Sequence, residues 1–322
     1  MTSTAFGLDV ESELPLSLLA GSTAKPTGRA LGVSVAGSDA AKMQWPDAAR
    51  LICDERQPDG APIYQIEAHP EAGYLMSGPE YGTHRLSADG RLLRCDPEGL
   101  RDADWQRLLI AQVLPFAAVL QGLEVFHASA VVRDARAIAF LGRSGAGKTT
   151  LALELCRRGA GFLADDVLAL ERRGERLVAH PGTPVAGVAR TGAQRARAIG
   201  VQGAGGAHDT AGPPGEDVLA VNARERLVRV HGAPEPVALA ALFFLDRTAH
   251  GPESPRFEPA ADAQMLLSAT FNLVLATPER LRGLLEVCAL AARLRVERIA
   301  CDRATSVSEL GAAVERRLSA PT

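Results

Sequence analysis

The residues with the clearest chemistry lie together at Gly142-Arg143-Ser144-Gly145-Ala146-Gly147-Lys148-Thr149-Thr150. The spacing Gly-x-x-x-x-Gly-Lys-Thr is that of a phosphate-binding loop. Glycines let backbone N–H groups turn inward around phosphate oxygens. The N-terminus of a following helix adds a partial positive charge. In such a loop the lysine reaches the outer phosphates and the threonine hydroxyl ligates Mg²⁺. The candidate nucleotide ligands are therefore Gly142, Ser144, Gly145, Ala146, Gly147, Lys148, Thr149 and Thr150, and the ligand is a nucleoside triphosphate such as ATP.

A second group follows one crossover later, Asp165-Asp166 at the end of the apolar run Phe162-Leu163-Ala164. Two adjacent carboxylates suit phosphoryl transfer to an alcohol. One holds Mg²⁺ and the other accepts the hydroxyl proton. The sequence does not say which does which. Lys148, Asp165 and Asp166 are the candidate catalytic residues, and Thr149, Asp165 and Asp166 the candidate metal ligands. His127 joins the catalytic set through the register worked out next.

The elements around these residues must bring them together. The loop is preceded by Ala137-Ile138-Ala139-Phe140-Leu141 and followed by Leu151 to Cys156, which reads as strand, loop and helix. Upstream, Glu124 to Val132 reads as a strand, separated from the loop strand by Arg133-Asp134-Ala135-Arg136. A two-residue turn flanked by the two arginines pairs positions that sum to 269 and sets His127 across from Gly142. The helix after the loop ends at Gly159-Ala160-Gly161. Strand, helix and strand then form a right-handed crossover, so both strands finish at the same sheet edge. Adjacent strand residues face opposite ways, so both aspartates reach the site only if the strand has already ended.

Downstream, 167–171 and 177–180 read as a second hairpin. Val237 to Asp246 is an apolar strand of the kind found in a sheet covered on both faces. Arg224, Arg226 and Arg229 lie on an alternating run that faces either phosphates or solvent. Thr277-Pro278-Glu279 and Ser306 with Glu309 are helix starts. Residues 196–216 are glycine-rich and polar and read as a flexible loop.

The N-terminal part has a different character. Short strand-like runs between residues 31 and 97, with turn signals between them, predict a small antiparallel β domain. His69 and His84 read as structural or exposed. A helix begins near Trp105 and is bent or ended by Pro115. The expected division is a β-rich domain, 1–103, for substrate recognition or assembly, and a P-loop domain, 104–322.

Composition narrows the function classes. The chain has 322 residues, 47% of them hydrophobic and 23% charged, with a net charge of −3 and 4% aromatics. That balance provides neither bulk attraction to nucleic acid nor base-stacking platforms. Five scattered cysteines without a CxxC pair suggest reduced thiols and a cytoplasmic setting. The apolar stretch from Leu108 to Phe126 is interrupted by Gln112, Pro115 and Gln121. It reads as a buried helix, since a membrane span needs about 20 mostly apolar residues.

Taken together, His127-Ala128-Ser129, the loop from Gly142 to Thr149 and Ala164-Asp165-Asp166 resemble the HPr kinase/phosphorylase family and, more distantly, phosphoenolpyruvate carboxykinases. Within that group the chain is most similar to HPr-kinase-like proteins of lasso-peptide gene clusters. The carrying features are 160–166, His180-Pro181 and the N-terminal β domain. The resemblance covers about residues 123–184. It implies an α/β nucleotide-binding core and an ATP- and Mg²⁺-dependent kinase acting on a serine of a peptide or protein. It also implies phosphate binding by Lys148, Mg²⁺ binding by Thr149, shared metal and base duties for Asp165 and Asp166, and a place for His127 near the active site. His180-Pro181-Gly182-Thr183-Pro184 stands where HPr kinases carry a Glu-x-Arg-Gly-x-Gly-like stretch, which weighs against HPr itself as acceptor and against the reverse reaction. The rival readings are a small-molecule hydroxyl kinase and a nucleotide-binding switch without transfer chemistry. The oligomeric state, a homo-oligomer included, stays open.

Overall fold

The structure is a computed structural model, and it describes residues 1–35, 45–57, 59–97, 99–189, 217–221, 225–260, 263–271 and 277–320. The 196–216 loop and Arg224 lie outside the described residues.

The N-terminal part forms an eight-stranded sheet. Its strands are β1 (Thr2–Ala5), β2 (Leu8–Ser12), β3 (Ala30–Val35), β4 (Arg50–Arg56), β5 (Pro62–His69), β6 (Gly73–Gly78), β7 (Gly82–Leu86) and β8 (Leu92–Asp96). The order is β1-β2-β3-β8-β7-β6-β5-β4. Strands β4 to β8 pair antiparallel, with β7 falling in none of the runs read from the sequence, but the sheet is mixed and not antiparallel throughout, because β3 runs parallel to both β2 and β8. β8, the last strand of the meander, lies beside β3. The hairpin of β1 and β2 was not predicted. Its tight turn, Phe6-Gly7, has both residues at positive φ (56° and 75°), and only the glycine signals this in the sequence.

Three helical pieces run consecutively from there, α1 (Asp102–Leu108), a π turn (Leu109–Val113) and α2 (Leu114–Leu120). Pro115 therefore sits in the first turn of α2, where its missing N–H costs little. The wider turn before it passes the chain through the proline without ending the helical run. Most of the segment is buried: Trp105, Leu109, Val113, Leu114, Phe116 and Ala117 are at most 2% exposed. Among the described residues no helix is long and apolar enough to cross a membrane.

The second sheet holds the loop. Its strands are β9 (Glu124–Phe126), β10 (Ser129–Arg133), β11 (Arg136–Leu141), β12 (Gly161–Ala164), β13 (Leu168–Arg173), β14 (Arg176–Ala179), β18 (Val237–Thr248), β19 (Arg256–Pro259) and β20 (Arg295–Asp302). The main order is β12-β10-β11-β18-β14-β13-β9. The far half of β18 pairs with β20, in parallel, from Ala241 to Thr248. A small third sheet, β15-β17-β16, uses β15 (Val185–Ala189), β16 (Val218–Val221) and β17 (Glu225–Arg229).

β18 shows why the central sheet is buried on both faces. Leu239, Leu242 and Phe244 point into one core with α4 (Ala263–Ser268) and α5 (Pro278–Ala291), and Ala241, Phe243 and Leu245 into another with α3 (Lys148–Arg157) and α6 (Val307–Ser319). The period of two, apolar on both phases, has no polar face to offer to water. The caps of the last two helices form as the sequence indicates: Thr277 accepts from the Arg280 N–H and Ser306 from the Glu309 N–H. The N-terminal sheet and the second half of the chain share one core, in which Leu8, Leu16, Trp105 and Val113 cluster with Val167, Val185 and Leu227.

Candidate active site

The register of β10 with β11 is the one the two-arginine turn requires: Arg133 opposes Arg136, and Ser129 opposes Phe140. The pairing stops there. The expected strand from Glu124 to Val132 breaks at His127-Ala128, where β9 leaves β10 to pair with β13, Phe126 opposite Leu168. His127 is thus at a bend and not in a rung opposite Gly142. Its backbone N–H donates to the Ala269 carbonyl at 2.7 Å, and its ring lies 5.5 Å from the Phe271 ring.

The loop itself is shaped by steric exclusion. Gly142 has φ 135°, and a Cβ there would lie 2.6 Å from the Leu245 carbonyl oxygen of the neighbouring strand. No L side chain fits. Gly145 and Gly147 also have positive φ, and Gly147 caps α3. The Ala146 N–H closes a turn onto the Arg143 carbonyl at 3.1 Å. Ser144 and Gly145 are exposed at the crest of the loop, and Thr150 is exposed in the first turn of α3. The Lys148 ammonium folds back onto the Gly142 and Arg143 carbonyls at 2.9 and 3.4 Å. Loss of water pulls its pKa down, and the Asp166 and Asp165 carboxylates pull it up. Arg247, near the end of the parallel partner strand β18, lies beside the loop. It donates to the Arg303 and Thr305 carbonyls at 2.7 and 2.6 Å, and its guanidinium would be 3.1 Å from a Cβ on Gly147.

The crossover from β11 through α3 to β12 delivers the aspartates beside this loop, with β10 lying between the two parallel strands. Asp165 accepts from the Thr149 hydroxyl at 2.7 Å, the Ser129 hydroxyl at 2.7 Å and the Gly187 N–H at 2.9 Å. Burial raises its pKa, the neighbouring Asp166 adds to that, and the three donors oppose it. Asp166 faces differently because β12 has ended at Ala164 and the chain reverses. Its φ is 65°, and the Val167 N–H bonds the Asp165 carbonyl at 2.7 Å across it. A three-residue turn with positive φ at a non-glycine centre is strained, and such strain gathers at functional sites. The Asp166 carboxylate is 47% exposed and meets Arg107 of α1 at 3.1 Å. Loss of water lowers the His127 pKa below the ordinary 6.5; the Asp166 charge and backbone oppose this and the Lys148 charge adds to it.

Lys148, Thr149, Asp165, Asp166 and His127 are thus brought together. The two acids are no longer equivalent: Asp165 is locked against Thr149, and Asp166 is turned outward. Thr149 and Asp165 supply hard oxygen donors in contact. Among the described residues no group of three or more His, Cys, Asp or Glu could cage an ion. That donor set suits Mg²⁺, which takes one or two protein oxygens and completes its octahedron with water and phosphate.

Part of the chain has relatives. A 53-residue segment is 43% identical to the HPr kinase/phosphorylase of Chlorobium limicola and, over the same length, 42% identical to that of Chlorobium phaeobacteroides; in each case it covers 16% of this chain and 16% of the relative. No family profile matches. The solved HPr(Ser) kinase/phosphatase from Coxiella burnetii aligns with 60% of this chain and 95% of its own, at 13% identity and a TM-score of 0.31.

Some site residues carried no sequence role. Ser129 could have been found from the hairpin register, which sets it opposite Phe140, two residues from the loop. Arg107 and Gly187 gave no signal, because their partners are distant in the chain. Arg229, read as facing phosphate or solvent, pairs with Asp217 at 3.2 Å and donates to the Ala20 carbonyl. His69 accepts two turn N–H groups through Nδ1, and His84 is buried against Trp105.

Proposed function

We propose that this protein is a cytoplasmic, ATP- and Mg²⁺-dependent kinase that transfers the γ-phosphoryl group to a serine hydroxyl of a peptide or protein. By the sequence resemblance the acceptor is a lasso-type precursor peptide. The observation that carries the reading is the split between the two acids: Asp165 bonded to the loop threonine, Asp166 turned out beside Lys148 and His127.

Loop N–H groups and Lys148 bind the β- and γ-phosphates. Thr149 and Asp165 hold Mg²⁺, which when bound neutralises charge on the phosphate oxygens. Asp166 takes the proton from the acceptor hydroxyl as the serine oxygen bonds to the γ-phosphorus and the bond to the ADP oxygen breaks. His127 borders the same space, within reach of the Asp166 and Lys148 charges.

The test is transfer from labelled ATP to a panel of serine peptides, proteins, sugars and free amino acids. Lys148→Ala is expected to weaken ATP binding, whereas Asp166→Asn keeps binding and lowers transfer about 10²- to 10⁴-fold. Transfer to sugars or amino acids alone would make this a small-molecule kinase. Full biological activity in Asp165→Ala and Asp166→Ala, with loss in Lys148→Ala, would make it a switch.

A further inference from the structure

Arg107 belongs to the segment that enters the second half of the chain, yet it ends on the proposed base. Its Nη2 donates to Asp166 Oδ2 at 3.1 Å and its Nε to Glu225 Oε1 at 2.7 Å. The guanidinium side chain is 21% exposed, as is that of Glu225. Burial works against its charge, and the two carboxylates more than compensate, so its pKa is raised. The cleft beside it is lined by Phe6, Arg107, Ile110, Asp165, Asp166 and Thr183, among others, and by no residue of the phosphate loop. Arg107 and Asp166 thus meet at a cleft that the phosphate loop does not line.

The helix that carries Arg107 is firmly held. Gln106, its neighbour, accepts from the Leu18 N–H at 3.1 Å and the Ser17 hydroxyl at 3.2 Å, and donates to the Pro15 carbonyl at 3.2 Å. Trp105 is 2% exposed. Asp166 by contrast is half-exposed on a strained turn. A planar fork held at its far end by Glu225 fixes one carboxylate oxygen better than a point charge could.

We propose that Arg107 is a positioning residue that holds the Asp166 carboxylate in register with the incoming hydroxyl, and that the N-terminal part of the chain thereby sets the geometry of transfer. This rests on the reading of Asp166 as base. Its contacts are with Asp166 and Glu225, and it acts through the acid.

The experiment uses the full chain, MgATP and water as acceptor, with turnover measured as phosphate release and ATP affinity by titration calorimetry. Displacing a reacting group by an ångström costs on the order of a hundredfold, so Arg107→Ala is expected to lower kcat about tenfold or more with ATP affinity within about twofold. Arg107→Lys is expected to recover part of the loss, and so is free guanidinium added to Arg107→Ala, but not to Asp166→Asn. Should the alanine variant fail to fold, Arg107→Lys, with an intermediate kcat at unchanged ATP affinity, carries the test. Arg107→Ala turning over like the wild type while Asp166→Asn is inactive overturns the proposal alone. A loss rescued by neither lysine nor guanidinium also overturns it, since the arginine is then only part of the packing. Wild-type turnover in Asp166→Asn, or a wild type that binds no MgATP, refutes the underlying reading as well.

Discussion

Removing the Ser129 hydroxyl tests the anchoring of Asp165 directly. Ser129 is fully buried, and its hydroxyl donates to a carboxylate that has two other donors, Thr149 and Gly187. A hydrogen bond to a charged group contributes about 1.5–3 kcal/mol, against about 1 kcal/mol for a neutral pair. Ser129→Ala is nearly isosteric and leaves the remaining bonds in place, so about 2 kcal/mol is expected at neutral pH. At about 2.1 cal/mol/K per residue, the 322-residue chain has an unfolding entropy of about 0.7 kcal/mol/K, and the melting temperature should fall by about 3 °C. The sign with pH follows from the charge. The bond favours the ionised acid, and burial has moved Asp165 protonation above its ordinary 3.8. The difference between Ser129→Ala and wild type should therefore shrink as pH falls, before pH reaches the usual carboxylate range. Differential scanning calorimetry of both proteins without nucleotide, across pH, reads this out. Equal melting temperatures at neutral pH, or a difference that stays constant into acid, would refute the anchoring of Asp165 by Ser129.

Two further outcomes follow from buried groups. Burial pushes Glu124 up to about 7 despite its bond to Arg280 at 2.5 Å. The folded state then holds a proton that the unfolded state releases, so this stabilisation is complete below about pH 4.5 and is lost as pH rises to about 7, at most about 3 kcal/mol. Glu124→Gln should remove that loss, and a stability difference from wild type that does not vary over this window would contradict it. Gly7→Ala places a Cβ 2.7 Å from Leu123 Cδ1 and 3.1 Å from the His180 ring at φ 75°, and should cost about 1–3 kcal/mol in urea unfolding; an unchanged midpoint would show that the hairpin tip can move aside.

What the sequence made legible was local. The loop, its flanking elements and the Ser129–Phe140 register depend on a two-residue turn and a nine-residue pattern. The meeting of Asp165 with Thr149 followed from crossover handedness, a rule that needs no detail of side chains. The break at His127-Ala128 was hidden because its cause is β13, a strand 40 residues on whose pull leaves no mark on residues 124–132. The parallel placement of β3 between β2 and β8 was hidden for a similar reason: short strands announce their existence by period, but not their neighbours. The difference between the two acids rested on the left-handed turn at Asp166, which aspartate tolerates without a glycine to advertise it. Arg107 reads in sequence as one more charged helix residue.

The shared core around Trp105, Val113 and Val167 has a practical consequence for dissecting the protein. The hairpin tip is stitched to the second half by the Phe6 N–H on the Pro181 carbonyl, 2.7 Å, and the apolar side chains beneath it belong to both halves. A fragment starting at residue 104 would bare Val167, Val185 and Leu227 to water and clump when expressed. The two parts cannot simply be cut apart and assayed in separate tubes; a bench strategy that retains every strand and swaps single side chains is the one this architecture permits.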